Sequence, residues 1–280
     1  MIVDSHHHFW DPSRRDYPWM GDDLASIRKP FGPAELRPLL AAARVDRTVL
    51  VQTVSNVGET GEFLETAAAT DFVAGVVGWV DLTDPAVDKT LAALRKSPGG
   101  TYLAGIRHQV HDEPDASWLL RDDVLRGIRA VGEADLVYDL LVRTRELPAA
   151  SEVARRFPEM RFVIDHMAKP RIGAGPRDHE WEHAMEGIAE LPNVSCKLSG
   201  MVTEASWTEW TPAGLAPYVR RVLDWFGPER CMFGSDWPVC LLAAGYGEVL
   251  QALRYTLSEL SAVEIEGVLS GNAARVYRLR

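Results

Sequence analysis

Eight short apolar runs recur along the chain, and a stretch with the apolar periodicity of an amphipathic helix follows each of them. The runs are rich in Val, Ile and Leu and occupy residues 2–6, 47–54, 72–81, 103–110, 136–142, 161–167, 193–200 and 231–239. Apolar runs without polar alternation are typical of strands that are covered on both faces, as in parallel βαβ units. The pattern therefore predicts eight parallel strands, each paired with a helix.

Helix-start signals lie between these runs. They are Pro33 in a first turn, Asp84 and Pro85 as cap and first residue, Thr144 ahead of residues 145–157, and Ser261 with Glu264 as a capping box. Eight strand–helix pairs in 280 residues predict a single-domain (β/α)8 TIM barrel over residues 1–280, since that fold typically needs about 250 residues. A doubly wound sheet is the alternative, but it usually carries a glycine-rich phosphate loop where this chain has His-His-His-Phe-Trp.

Composition narrows the class of partner. The chain is 46% hydrophobic and 25% charged, which allows one large core, and its formal net charge of −10 argues against a nucleic-acid surface. No run reaches the roughly 18 apolar residues of a membrane span, and we expect a cytoplasmic monomer or homodimer that acts on a small molecule. Its three cysteines, Cys196, Cys231 and Cys240, are expected to be reduced thiols.

Three consecutive histidines end the first predicted strand. Because residues i and i+2 project to the same face of a strand, His6 and His8 should share a face with Asp4, and His7 should lie opposite with Ser5. Such an HxH pair can bind one metal ion or one substrate oxygen, although local hydrogen bonding at a strand end would also explain it.

Titratable side chains end four other runs as well. They are Arg107 and His108 in the fourth run, His166 in the sixth, Lys197 in the seventh and Asp236 in the eighth, where Gly234 allows close backbone approach. Active sites of (β/α)8 barrels are assembled from the carboxyl ends of the strands. The convergence of these residues therefore predicts a catalytic site.

Longer segments around these residues resemble a known family. DSHHHFWDPSRRDYPW, GIRHQVHDEPD, YDLLV, FVIDHMAKP, CKLSGMVTEA, MFGSDWPV and the closing GNAARVYRL are similar to the sugar-acid lactonase branch of the amidohydrolase superfamily. The resemblance covers nearly the whole chain. It implies hydrolysis of an aldonic acid lactone, such as L-fucono- or L-rhamnono-lactone.

The resemblance also bears on the cofactor. Binuclear superfamily members use a modified lysine on strand four and a histidine on strand five, whereas this chain has Arg107 on strand four and no histidine in LVYDLLV. The remaining set of His6, His8, His166 and Asp236 suits one zinc or manganese ion with an open water position. Because the branch includes lactonases that work without metal, metal-free catalysis remains an equal alternative.

The chemistry of lactone opening, which needs an activated water and positive charge near the carbonyl oxygen, suggests a role for each site residue. Asp236 is expected to be the general base, with His166 beside it, and Arg107, a metal or protonated histidines would face the developing oxyanion. The expected substrate contacts are Trp10, His108, Tyr138, Lys197 and Trp237. Two of these have alternatives: either Tyr138 or Asp139 faces the interior, and Lys197 either pairs with an acid or binds the product carboxylate. Trp10 is preferred over Trp19 because it adjoins the HxH pair.

Two further functional hypotheses use the same barrel. One is metal-dependent decarboxylation or amide hydrolysis of a small carboxylate. The other is a ligand-binding barrel without catalysis, which has no evident need for a base and an electrophile site together. His179 and His183, four apart in RDHEWEHAMEG, are expected to lie on a solvated helix face.

Overall fold

Eight parallel strands form a barrel in the computed structural model, which describes residues 1–173 and 178–279. They run in chain order: β1 Val3–His7, β2 Arg47–Val51, β3 Val73–Gly78, β4 Leu103–His108, β5 Val137–Leu140, β6 Phe162–Ile164, β7 Val194–Leu198 and β8 Cys231–Phe233. The first and last strands close the barrel through a side-chain hydrogen bond from Ser5 Oγ to the Phe233 carbonyl at 2.6 Å. The predicted barrel is confirmed, and every strand lies within or overlaps its predicted run.

Ten α-helices lie within the described residues. They are α1 Pro33–Ala43, α2 Val57–Ala68, α3 Val87–Lys96, α4 Asp122–Glu133, α5 Leu147–Arg156, α6 His179–Ala189, α7 Pro212–Phe226, α8 Tyr246–Thr256, α9 Ala262–Glu266 and α10 Asn272–Val276. None of the helices described is both long and apolar enough to cross a membrane.

The helix-start signals are correct at three of four positions. Pro33 is the first residue of α1, Ser261 and Glu264 form a capping box at α9, and Thr144 opens the 3-10 turn that leads into α5. The prediction at Asp84 is wrong, because α3 begins at Val87. Asp84 Oδ1 accepts a hydrogen bond from the Ala86 backbone N–H at 2.8 Å, so this carboxylate stabilises a turn ahead of the helix.

Buried side chains form two layers around the strands. The smaller layer fills the barrel with branched residues such as Val49, Val77 and Val163, and the larger layer lies between strands and helices. Strand residues therefore have an apolar neighbour on either face, which is why the strands appear in the sequence as continuous apolar runs. Charged residues replace valine deeper in the barrel at Asp139 and Lys197 and then at the carboxyl ends of the strands, where the site lies.

Candidate active site

A cavity of about 370 Å³ opens at the carboxyl ends of the strands. Its polar lining comes from strand ends and the loops that follow them: His8, Thr53, Arg107, Gln109, His111, Asp112, Arg143, His166, Lys169, Thr203, Glu204 and Asp236. Its apolar lining comes from Trp19, Leu24, Leu141, Trp207, Val239 and Leu242. The volume is within the range of small-molecule sites.

The HxH pair lies at the floor of this cavity, but β1 is not a regular strand. Asp4 is opposite Thr48 and His7 is opposite Leu50, so three steps on β1 match two on β2. This β-bulge shifts the alternation. As a result, Asp4 does not share a face with His6: its carboxylate accepts a hydrogen bond from Tyr246 of α8 at 3.0 Å. The predicted grouping of Asp4 with the site is wrong for this reason.

The two outer histidines of the triplet nevertheless face each other. Their Nε2 atoms are 3.1 Å apart. His8 Nδ1 is 2.8 Å from the Val51 carbonyl, which fixes the hydrogen on Nδ1 and leaves Nε2 with a lone pair. His7 points the other way, as predicted, and its Nε2 lies 2.9 Å from Thr48 Oγ1.

Three buried groups converge beside this pair. Ligand atoms of His6, His166 and Asp236 all lie within 4.8 Å of one another. His8 Nε2 is 3.4 Å from Asp236 Oδ1, closer than the corresponding 3.8 Å from His6 and 3.9 Å from His166. The structure thus brings all four predicted ligands together: His8 Nε2 lies 3.1 Å from His6 Nε2 and 3.4 Å from Asp236, beside the group formed by His6, His166 and Asp236.

Unusual backbone conformations aim two of these side chains. His166 and Asp236 have φ angles of 54° and 57°, in the left-handed region that few non-glycine residues adopt. Two glycines leave space for the histidines. A Cβ added at Gly200 would lie 2.8 Å from His166 Nδ1, and a Cβ added at Gly234 would lie 2.7 Å from His6 Cβ. The expected role of Gly234 in close approach is confirmed.

A network of buried charges supports the floor of the site. Asp165, fully buried, lies 2.9 Å from both Arg107 and Lys197 and 3.3 Å from His6 Nδ1. Lys197 also donates to Asp139 at 2.6 Å, below the cavity. Of the two roles considered for Lys197, the structure supports pairing with acidic neighbours inside the barrel.

The charge states follow from this packing. Burial lowers the pKa of both His6 and His166, so their rings are neutral near neutral pH and can offer lone pairs. Burial alone would raise the pKa of Asp236, but the neighbouring imidazoles of His166 and His8 outweigh it and lower that pKa. Asp165 behaves similarly, since Lys197 and His6 hold its pKa well below the usual value despite burial. Both carboxyl groups are therefore ionised.

Two predicted substrate contacts on strands face away from the cavity. Arg107 faces the interior, so its neighbour His108 projects outward, where it stacks on Trp118 with ring centroids 4.2 Å apart. Asp139 likewise faces inward, and Tyr138 is fully buried against Phe162. Period-two alternation explains both corrections, because adjacent strand residues cannot line the same cavity.

The predicted aromatic contacts are also displaced. Trp10 is buried and donates its indole N–H to the Ile27 carbonyl at 3.1 Å, and Trp237 packs against Phe31 with centroids 5.3 Å apart. Trp19, which packs edge-on against Trp10, lines the cavity instead. Proximity in sequence to the HxH pair was a poor guide, because the long loop after β1 folds back over Trp10.

Sequence reasoning missed Asp165 and most of the cavity rim. Asp165 was detectable in principle, because a buried Arg107 and Lys197 require compensating carboxylates and Asp165 directly precedes His166. Gln109 was also detectable, since it lies two residues beyond Arg107 on the same face. Arg143, Lys169 and Glu204 come from loops whose paths are set by tertiary packing, and no local pattern marks them.

The donor set fits a divalent metal ion. His166 Nδ1 is 2.9 Å from Ser199 Oγ, which leaves Nε2 directed at Asp236, and His6 Nδ1 is held between Asp165 and Lys197. Metal-binding imidazoles commonly have their second nitrogen fixed in this way. Two imidazole nitrogens and a carboxylate leave room for water in a tetrahedral site.

An eight-stranded barrel with histidines and an aspartate at the carboxyl ends of its strands has the architecture of a (β/α)8-barrel enzyme. The chain belongs to the Amidohydrolase family, whose sequence profile matches residues 3–279. It is 44% identical to an L-fucono-1,5-lactonase of Burkholderia ambifaria, over 99% of this chain and 95% of the relative. It is 40% identical to an L-fucono-1,5-lactonase of Burkholderia multivorans, over 99% and 96%. The predicted family is confirmed.

A solved structure matches equally broadly. A crystal structure of an amidohydrolase from Burkholderia multivorans with bound zinc superposes with a TM-score of 0.95, covers all of both chains and is 39% identical. Zinc binding by that relative agrees with the donor set described above.

Proposed function

We propose that this protein hydrolyses an aldonic acid lactone, with L-fucono-1,5-lactone as the leading substrate. The observation that carries the proposal is the ionised Asp236 carboxylate, held among His6, His8 and His166 at the floor of a cavity of about 370 Å³. The similarity to two L-fucono-1,5-lactonases over at least 95% of their length supports the choice of substrate.

The cavity has the two kinds of wall that such a ring requires. Leu24, Val239 and Leu242 offer apolar surface to a deoxy methyl group or a ring face. Gln109 and Glu204 in the same lining offer hydrogen-bonding groups to hydroxyls. A deoxy-sugar lactone, which has one apolar end and several hydroxyls, matches this mixed lining.

Asp236 is proposed as the general base. It accepts a proton from water as the water oxygen forms a bond to the lactone carbonyl carbon. The bond from that carbon to the ring oxygen then breaks, and the same proton passes to the ring oxygen to give a hydroxyl group. The new carboxylic acid loses its proton to solvent, which leaves a carboxylate. Arg107, fixed by Asp165 and by two acceptors of Gln52, places positive charge beside His6 where the carbonyl oxygen gains negative charge. The pKa of Asp236 is lowered by its neighbours, so the carboxylate is ionised and able to accept this proton.

His6, His166 and Asp236 would hold a zinc or manganese ion, and His8, whose Nε2 is 3.4 Å from Asp236, would lie directly beside it. When bound there, such an ion supplies Lewis-acid polarisation of the carbonyl group. The neutral state of His6 and His166 favours this arrangement over a site that relies on protonated histidines.

Proton release tests the proposal. The 1,4- and 1,5-lactones of L-fuconic, L-rhamnonic and related acids are incubated with the protein in a weak buffer containing a pH indicator, with and without a chelator. We expect faster acidification than the spontaneous rate for one stereochemical series, and loss of the excess rate in Asp236→Asn. No acceleration with any lactone would reject the function. Loss of activity with chelator and its return with zinc would assign the metal an obligatory role.

We further propose that the protein works in the cytoplasm. Cys196, Cys231 and Cys240 are all buried free thiols, a state that a reducing compartment preserves. Fractionation of the native host with an antibody against the chain would test this proposal. The number of chains in the assembly, one or two, remains a prediction for sedimentation analysis.

A further inference from the structure

A second cavity of about 580 Å³ adjoins the catalytic cavity, and Arg143 and Lys169 line both. Further charged or titratable side chains in its wall are Arg145, Arg171, His183 and Glu180. The chain as a whole has 40 acidic and 30 basic residues. A concentration of basic groups at this one place therefore runs against the overall composition.

Most of these cations already have partners. Lys169 Nζ is 2.6 Å from Glu204, Arg171 is 2.9 Å from Asp178, and Arg145 pairs with Glu146. Within residues 1–173 and 178–279, no hydrogen-bond or ion-pair partner contacts the guanidinium of Arg143, which is exposed where the two cavities meet. Arg143 is therefore free to bind an anion with all of its donors.

The positive charge extends into the catalytic cavity. The pKa of His111, which lines that cavity, falls to about 3, first because of burial and then because of the charges on Lys169 and Arg143. Arg143 and Lys169 line the catalytic cavity together with Asp236. The two cations therefore lie on a path that begins in the cavity of the reacting carboxylate and ends in the second cavity.

This inference rests on the proposed lactonase function, because that reaction changes the charge of its ligand. The lactone is neutral, whereas the ring-opened product carries a carboxylate. Near Asp236 the product is repelled by a like charge, and near Arg143 it is attracted. We propose that Arg143 and Lys169 form a binding site for the product carboxylate and lead the aldonate from the catalytic cavity into the adjoining one.

Direct binding measurements test this site without relying on turnover. The protein is titrated with L-fuconate and, separately, with L-fucitol, the neutral alditol of the same carbon skeleton, and binding is followed by tryptophan fluorescence, because Trp19 and Trp207 line the cavity. In Arg143→Gln we expect the Kd for L-fuconate to rise about tenfold, as for loss of one charge-assisted hydrogen bond. The Kd for L-fucitol should change much less.

Arg254→Gln is the matched control. Arg254 is exposed in the last turn of α8, so the variant has the same change of charge and side chain away from both cavities. It should leave the affinity for L-fuconate within about twofold of the parent, since exposed charges beyond a Debye length of about 10 Å are screened. Raising the salt concentration should weaken L-fuconate binding in the parent and have little effect in Arg143→Gln.

Two results would overturn the proposal. Equal losses of affinity for L-fuconate and L-fucitol in Arg143→Gln would mean that Arg143 only shapes the cavity. Affinity for L-fuconate that is unchanged in Arg143→Gln would place the carboxylate elsewhere. Failure of the lactonase function is a separate outcome: the protein would then discriminate L-fuconate from L-fucitol yet accelerate no lactone hydrolysis.

Discussion

The carboxylate of Asp4 accepts two hydrogen bonds from Ser235, one from its backbone N–H at 2.8 Å and one from its hydroxyl at 2.6 Å. Ser235 directly precedes Asp236, whose own backbone N–H donates to the His6 carbonyl at 2.8 Å. Asp4 therefore connects β1 to the general base, although its side chain lies outside the cavity. We regard it as a positioning residue.

The variant Asp4→Ala should show whether Asp4 positions Asp236 or contributes only to the stability of the fold. It leaves the Ser235 N–H buried without an acceptor, at a cost of about 1–3 kcal/mol in the free energy of unfolding. If Asp4 positions Asp236, kcat for the lactone should fall at least about tenfold with a smaller change in KM, as expected when a catalytic group is misplaced. Steady-state kinetics and urea unfolding measure the two effects.

Tyr246→Phe provides the control for Asp4→Ala. It removes one hydrogen bond to the same carboxylate, the 3.0 Å bond from the Tyr246 hydroxyl, and leaves the contacts with Ser235 intact. Its stability should fall while kcat stays within about twofold of the parent. A normal kcat in Asp4→Ala would show that Asp4 contributes only to stability.

The histidine triplet should divide into two functional types. His6→Asn and His8→Asn should each lower kcat/KM by orders of magnitude, because both rings lie beside Asp236. His7→Asn should retain activity within a few-fold and lose stability, since the fully buried ring of His7 contacts Thr48 and Phe9. A pH-indicator assay and thermal unfolding compare the three. Activity in His7→Asn as low as in His6→Asn would contradict the strand orientation.

Metal binding can be measured independently of enzymatic activity. The purified chain should bind one zinc ion, measured by elemental analysis after dialysis against zinc, and Asp236→Asn and His166→Asn should each weaken binding strongly. His7→Asn is the matched control, because His7 faces away from the donor set. Zinc that remains stoichiometric in Asp236→Asn and His166→Asn would show that the ion binds elsewhere.

Much of the fold could be predicted because strands that are buried on both faces appear in the sequence as continuous apolar runs. Strands enclosed by helices need apolar side chains on each face, so Val49, Val77 and Val163 fall within runs that the sequence displays directly. The ends of those runs also indicated His166 and Asp236, since a strand that leaves the core can carry polar groups only where it ends.

The site was less predictable, because its details depend on irregular backbone and long-range pairing. The bulge in β1 that separates Asp4 from His6 has no clear sequence signal, and simple alternation assigned Asp4 to the wrong face. The chemistry of His108 and Tyr138 favours both as substrate contacts, but Arg107 and Asp139 beside them occupy the inward positions of their strands. Rim residues on loops depend on how the whole chain packs.

Trp19, which lines the cavity, should affect substrate binding more than Trp10, which packs behind it. Trp19→Ala should raise KM several-fold, because it removes an aromatic wall worth about 1 kcal/mol or more. Trp10→Phe preserves the packing of a ring outside the cavity and should lower stability with KM within about twofold of the parent. Initial rates over a range of lactone concentrations distinguish these outcomes. A larger KM change in Trp10→Phe would restore Trp10 as the substrate contact.

Lys197 offers the sharpest test of the buried charge network. Its ammonium is fully buried between Asp139 and Asp165, at 2.6 and 2.9 Å. Lys197→Met leaves Asp139 without its cation, while Asp165 retains Arg107, so we expect a loss of about 3–5 kcal/mol in the free energy of unfolding. The double variant Lys197→Met/Asp139→Asn removes the uncompensated charge and should recover at least half of that loss in urea unfolding. A double variant less stable than Lys197→Met alone would show that side-chain packing around Lys197, and not charge balance, determines the stability of this part of the barrel.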